Sequence, residues 1–201
     1  MKRRFLALGA AGFAALTLSS CGYVELAYWN MGETTSFVVD GRDLQVSGTL
    51  NQNTLAAFEK VVSENPGLTR LVLLDVPGSV DDDTNLALGH RVRDLGLNTH
   101  LTATSEVHSG GSDLFLAGVR RSMERGAVIG VHTWGTATQS GTDFPKDDPV
   151  HQAYVDYTAR MLGSADFYWY TLTAASIDDS HEMSEAEIEK YRLLTEPVIV
   201  K

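Results

Sequence analysis

The run Arg70-Leu71-Val72-Leu73-Leu74-Asp75-Val76, broken by Pro77-Gly78-Ser79, constrains this chain more than any other segment. A strand with one wet face alternates apolar and polar residues. A nearly continuous apolar run belongs to a strand covered on both faces. Helices must therefore lie on both sides of a largely parallel sheet. The flanking sequence supplies them. Residues 52–64 carry Leu55, Phe58, Val61 and Val62 at helical spacing and stop at Asn65-Pro66-Gly67. A second helix is expected over 82–95, closed by Gly96.

The same alternation continues along the chain. Ser36-Phe37-Val38-Val39 and Leu44-Gln45-Val46-Ser47-Gly48 read as strands joined by Asp40-Gly41-Arg42-Asp43, a hairpin signal. Residues 99–104 alternate as a strand. A turn at Ser109 leads into a helix expected to reach about Met123, and a strand follows over 127–134. Residues 135–149 are polar and patternless, as in a loop. Helices are expected over 149–163 and 165–176. Ser184 and Glu187 have capping-box spacing for one more. Residues 197–200 read as a closing strand. The pattern predicts a single α/β domain over 35–201, long enough to bury a proper core.

Residues 1–20 read as a signal peptide. Lys2, Arg3 and Arg4 precede an apolar run from Phe5 to Leu18, too short for a comfortable membrane span. Leu18-Ser19-Ser20-Cys21 resembles the lipobox of bacterial lipoproteins, in which the Cys is lipidated and becomes the mature N-terminus. Cys21 is the only cysteine, so no intrachain disulfide can form, and lipidation explains its presence. Residues 21–34 would be a tether. This implies a palmitate-type acyl anchor holding the protein to a membrane of the bacterial cell envelope, facing the periplasm or the exterior. Gly22 after the Cys matches the pattern passed to the outer membrane in a Gram-negative cell. The net charge is −10, and −13 without Lys2, Arg3 and Arg4. With no basic stripe, that excludes nucleic acid as a partner.

The chemistry centres on two residues. Ser109 lies in His108-Ser109-Gly110-Gly111-Ser112-Asp113-Leu114-Phe115-Leu116-Ala117-Gly118, a glycine-rich turn before an apolar helix. His132 closes Gly126-Ala127-Val128-Ile129-Gly130-Val131-His132. A serine hydroxyl becomes a useful nucleophile when a base takes its proton, and imidazole does so near neutral pH. Ser109 also suits a helix N-cap, and a Ser can serve both roles. His108 is a rival base, although adjacent turn residues usually point apart. His100, His108 and His132 lack the spacing of a metal set, so neither a metal nor a cofactor is expected. Asp113, in an otherwise apolar helix, is unfavourable if buried unpaired; the readings are that it faces solvent, pairs with Arg120 or Arg121, or tunes the site, and the pairing is the one expected.

The ordered set Asp75-Val76-Pro77-Gly78-Ser79-Val80, Ser109 with Ala117-Gly118, Arg121, Gly126-Ala127, Gly130 and His132 resembles the ClpP/crotonase superfamily, on its Clp-protease-like side. The resemblance implies a fold of repeated ββα units, Ser109 as nucleophile and His132 as general base. It places the oxyanion hole at Gly110 and at the Pro77-Gly78-Ser79 turn. There the family has Pro-Gly-Gly, so either Ser79 replaces the second Gly or one Gly is missing. A positive φ would strain Ser79 more than Gly. In the late-helix region 183–194 the family acid would fall at Ser180; Asp179 is one residue off and Asp178 two. Asp179 is the expected third member. The resemblance also implies a peptide or protein substrate and homo-oligomeric assembly.

Together these readings predict a membrane-anchored serine hydrolase, a peptidase. The alternative is a catalytically silent ClpP-like binding or scaffolding lipoprotein, favoured by the altered turn and the displaced Asp. A crotonase-like acyl-thioester enzyme fits export poorly. A Ser/Lys peptidase would need a lysine in a recognisable partner position.

Overall fold

The computed structural model describes residue 32, residues 34–136 and residues 138–200. The signal-peptide, lipobox and tether assignments fall almost wholly outside them. Among the described residues no helix is long and apolar enough to cross a membrane.

Residues 33–201 form one compact unit. It is a mixed α/β domain, with one sheet of seven strands and six α-helices among the described residues. In chain order the elements are β1 (Thr35–Asp40), β2 (Asp43–Gly48), α1 (Thr54–Glu64), β3 (Arg70–Val76), α2 (Asp82–Asp94), β4 (Asn98–His108) and α3 (Gly110–Leu116). There follow β5 (Arg121–Met123), β6 (Val128–Val131), α4 (Gln152–Leu162), α5 (Asp166–Ala174), β7 (His181–Glu182) and α6 (Glu185–Lys190). The sheet order is β1-β2-β3-β4-β6-β7, with β5 beside the first half of β4. Strands β2, β3, β4 and β6 run parallel, while the outer hairpin β1–β2 and the pair β6–β7 are antiparallel.

The constraint set by the apolar run holds. Leu71, Val72 and Leu73 are buried in succession, so β3 is covered on both faces. Leu44, Val46, Leu101, Val107 and Ile129 join them from the neighbouring strands, and Phe58, Leu88, Val92, Leu114 and Phe115 close over them from the helices. Capping matches the local sequence. Asp81 accepts from Thr84 N at the start of α2, whose first turn holds Asp82 and Asp83 and whose last turn holds Arg91 and Arg93. The capping box of Ser184 and Glu187 forms at α6.

Strand β4 does more than its alternation suggests. Leu73 pairs with Leu101, yet Asp75 pairs with Glu106, so β4 carries extra residues between two ladders. Ser105 Oγ stitches the irregularity by donating to Leu73 O at 2.6 Å and accepting from Thr102 N at 2.9 Å. The first half of β4 pairs with β5 and the second with β6. The bulge thus re-aims the end of β4 between Val76 and Gly130.

Four expectations change. The helix after Ser109 stops at Leu116, and Arg121–Met123 is a strand. Gly118 passes so close to β4 that a Cβ there would lie 2.2 Å from Thr99 Oγ1. The Arg93 guanidinium takes the carbonyls of Leu116, Ala117 and Gly118, and Arg121 also takes that of Gly118, which ends the helix. Residues 197–200 form only an isolated bridge, Ile199 to Glu124. The 135–149 segment contains a one-turn 3-10 helix at Gly141–Asp143, and another at Pro149–His151 leads into α4. A ββα order appears at β1–β2–α1, but the middle of the chain alternates strand and helix singly.

Candidate active site

Ligands of open α/β sheets collect beyond the carboxyl ends of the parallel strands. Here β3 ends in Pro77-Gly78-Ser79, β4 in Ser109, and β6 in His132. These three turns stand side by side because β3, β4 and β6 are neighbours in the sheet. Ser109 and His132 both line the resulting cleft.

Ser109 has φ 50° and ψ −123°, and only it and Arg192 among the described non-glycine residues have positive φ. A non-glycine residue held there costs about 1–3 kcal/mol and persists where the surroundings enforce it. They do so here. Ser109 N donates to Gly130 O at 3.0 Å, and Ser109 O accepts from Ser112 N and Asp113 N. A sharp strand-to-helix turn of this kind lifts a side chain clear of the sheet. Ser109 is not a side-chain N-cap: its hydroxyl makes no capping bond to α3.

The glycines explain themselves by contact. A Cβ on Gly111 would meet Val76 O at 2.3 Å, and one on Gly110 would meet Ser79 Cβ at 2.5 Å and Ser79 N at 3.0 Å. Turn and strand end are therefore pressed together. Gly78 has φ 149° and takes the strain, while Ser79 stays at ordinary φ. Leu50 N donates to Gly78 O and Val80 N donates to Leu50 O, both at 2.9 Å. Alternation along this extended stretch turns the Ser79 N–H away from Leu50, and Ser79 N lies 3.0 Å from where a Cβ on Gly110 would stand. Gly110 opens α3, where N–H groups have no intrahelical acceptor. Asn85, missed in the sequence, is buried and fixes this peptide: its Nδ2 donates to Gly110 O at 3.0 Å.

His132 has its ring set by the backbone. Its Nδ1 lies 2.7 Å from Thr133 O. A carbonyl can only accept, so Nδ1 carries the proton and Nε2 of the neutral ring keeps a lone pair. No hydrogen bond joins His132 to Ser109 Oγ among the described residues. Catalytic hydrogen bonds are often long before substrate binds.

The other named residues go elsewhere. Asp179 is exposed, and its Oδ1 accepts from Ser180 N at 2.8 Å; Asp178 is exposed as well. Ser180 Oγ contacts His108 Nδ1 at 2.9 Å. His100 contacts Ser122 Oγ at 2.8 Å and Glu124 at 3.3 Å. The three histidines thus have separate partners. Asp113 pairs with neither arginine: Arg121 donates to Leu193 O at 2.6 Å, and Arg120 reaches Glu196. Among the described residues no lysine lines the cleft.

Most of the cleft wall was not read from the sequence. Asp82 and Asp113 line it together with Trp134, Tyr154 and Tyr168. Trp134 stacks on Tyr154 at 5.8 Å and Tyr154 on Tyr168 at 5.3 Å, each pair within 5° of parallel. Trp134 Nε1 donates to Tyr168 Oη at 2.9 Å, and Tyr154 Oη donates to Asp82 Oδ2 at 2.8 Å. Burial pushes the Asp82 carboxyl up, partly offset by the Tyr154 bond and by His132 nearby. Burial pushes Asp113 further, to about 7, with Asp82 adding to the effect. The aromatic cluster in 154–170 was the available signal.

The domain has an α/β fold of ClpP-like kind. No family model and no curated protein matches the chain. Among solved structures, Pseudomonas aeruginosa PA4980 is similar with TM-score 0.53 and 16% identity over 85% of this chain and 80% of that one. The 1510-N membrane-bound stomatin-specific protease, as a serine-to-alanine mutant, is similar with TM-score 0.53 and 15% identity over 78% and 77%. Its lysine-to-alanine mutant, in complex with a substrate peptide, gives TM-score 0.52 and 16% identity over 78% and 73%. At such identity the likeness establishes the fold alone.

Proposed function

We propose that this protein is a serine hydrolase, specifically a peptidase, of the ClpP/crotonase superfamily. One observation carries the reading: Ser109 is held at strained φ on a strand-to-helix turn and shares a cleft with His132, whose Nε2 is left able to accept a proton. Ser109 Oγ forms a bond to the acyl carbon while its proton passes to His132 Nε2. That proton then leaves on the amine nitrogen as the C–N bond breaks. Water attacks the acyl-serine, gives a proton to Nε2, and Ser109 is re-protonated as the acid departs. The N–H groups of Gly110 and Ser79 hold the oxyanion, with Gly78 supplying the backbone conformation. The protease neighbours of the same fold support a peptide or protein substrate. The direct test is a pre-steady-state burst with p-nitrophenyl acetate. Wild type should release about one equivalent of nitrophenolate per chain, and Ser109→Ala none; a burst in both would overturn the assignment.

The Leu18-Ser19-Ser20-Cys21 motif supports acylation at Cys21 and attachment to a cell-envelope membrane, the outer membrane in a Gram-negative cell. Homo-oligomerisation is part of the same proposal. A second reading, a catalytically silent binding or scaffolding lipoprotein, draws on the missing hydrogen bond between Ser109 and His132. It requires that no burst occurs.

A further inference from the structure

Asn85 is out of place as a packing residue. It belongs to the buried residues of α2, with Leu86 and Leu88, and is itself only 2% exposed. Asn is one of the weaker helix formers. Its Oδ1 is buried and has no hydrogen-bond partner among the described residues. A leucine would fill nearly the same space without an orphaned acceptor, so stability does not account for an amide here.

What the amide holds is the turn after Ser109. Its Nδ2 donates to Gly110 O at 3.0 Å. Ser109 O, in the preceding peptide, accepts from Ser112 N and Asp113 N. The peptide planes on both sides of the Gly110 Cα are thereby held. Glycine alone leaves such planes free to swing. Gly110 has to be glycine, because a Cβ there would stand 2.5 Å from Ser79 Cβ. The direction of its N–H is therefore set by its neighbours, and Asn85 supplies the side-chain part of that hold.

The same amide packs toward Ser79. The place a Gly110 Cβ would take is 2.8 Å from Asn85 Nδ2 and 3.0 Å from Ser79 N, so amide, glycine and turn press on one another. Ser79 and Asn85 also share one short, braced segment. Ser79 Oγ donates to Asp81 O at 2.9 Å and accepts from Asp81 N at 3.1 Å. Asn85 N donates to that same Asp81 O at 3.1 Å.

We infer that Asn85 is a positioning residue for the oxyanion hole: it locks Gly110 against the Ser79 turn, so that the two N–H groups are aimed together before substrate arrives. Donors fixed in advance need no reorganisation as charge develops on the substrate oxygen. The inference rests on Ser109 being the nucleophile. Asn85 does not line the cleft and acts only through the main chain.

Burst kinetics with p-nitrophenyl acetate test this. The burst amplitude counts working sites, so the burst rate constant is a property of folded protein alone. Deleting an oxyanion donor costs about 100- to 1,000-fold. Misaiming it should cost less, about 10- to 100-fold in the burst rate constant of Asn85→Leu and Asn85→Asp. The half-saturating ester concentration should stay as in wild type, because the ground-state carbonyl carries little charge. The acid limb of the pH profile, set by His132, should not move. Val92→Ala, buried in α2 two turns further on, is the control for destabilisation and should keep the wild-type rate constant. Asn85 variants that acylate within about twofold of wild type, or lose rate only through weaker half-saturation or a shifted acid limb, overturn the inference and leave the hydrolase reading standing. A Val92→Ala protein as slow as the Asn85 variants does the same. Wild-type protein with no burst overturns the hydrolase reading and the inference together.

Discussion

His132 Nδ1 is bonded to Thr133 O at 2.7 Å, a backbone carbonyl one residue away. The job usually given to a carboxylate, fixing the imidazole tautomer, is thus done by the main chain. Asp179, exposed and bonded to Ser180 N, has no hand in it. Asp179→Asn and Asp178→Asn should therefore leave kcat for ester hydrolysis unchanged, whereas His132→Ala should lower it by at least about a thousandfold. A large loss of kcat in Asp179→Asn with unchanged stability would restore a triad.

Turn packing gives a second prediction. A Cβ at Gly111 meets the main-chain oxygen of Val76 at 2.3 Å, and no side-chain rotation relieves that contact. Gly111→Ala should destabilise the domain by about 1–3 kcal/mol, read as a lower urea midpoint. Gly67→Ala, where a Cβ meets nothing, is the control and should fall within about 0.5 kcal/mol of wild type.

Helix packing gives a third. Gly89 lies under Tyr157, and a Cβ there would come 2.1 Å from Tyr157 Oη, the group that donates to Asp113 O. Gly89→Ala should cost about 1–3 kcal/mol in urea unfolding despite the better helix propensity of Ala. Unchanged or increased stability would contradict the packing of α2 against α4.

The Asp113 carboxyl gives a fourth, with a definite sign. Burial and Asp82 raise it from 3.8 to about 7. Between those values the folded chain keeps a proton that the unfolded chain has lost, so this group's contribution to stability falls as pH rises from about 4 to 7 and then levels off. Asp113→Asn removes that dependence. The variant should match wild type near pH 4 and exceed it at pH 8 by roughly 1–3 kcal/mol in urea unfolding. The groups facing Asp113 are Asp82, His132, Tyr154, Tyr157 and Tyr168, and none is altered by the substitution. A difference independent of pH would contradict the raised carboxyl.

The sheet was legible because its signals are local. The apolar run 70–76 and the hairpin at Asp40–Asp43 state their burial and pairing directly in residue order. Ser109 and His132 were legible because each closes a strand. What escaped depends on contacts distant in sequence. The early end of α3 follows from Arg93 and Arg121 reaching its carbonyls, which apolar spacing does not encode. Asp82 and Asp113 come from two helices, and the aromatic stack joins Trp134 to α4 and α5. The strain at the Pro77-Gly78-Ser79 turn falls on Gly78, so one glycine suffices where two were expected.

The central claim is that Ser109 is an activated nucleophile served by His132. The most direct measurement is fluorophosphonate labelling of purified protein from Gly22 onward, with the adduct mapped by peptide mass spectrometry. The account predicts a single adduct on Ser109, abolished in Ser109→Ala and strongly suppressed in His132→Ala. An adduct on any other serine, or a folded wild-type protein that takes none, would contradict it.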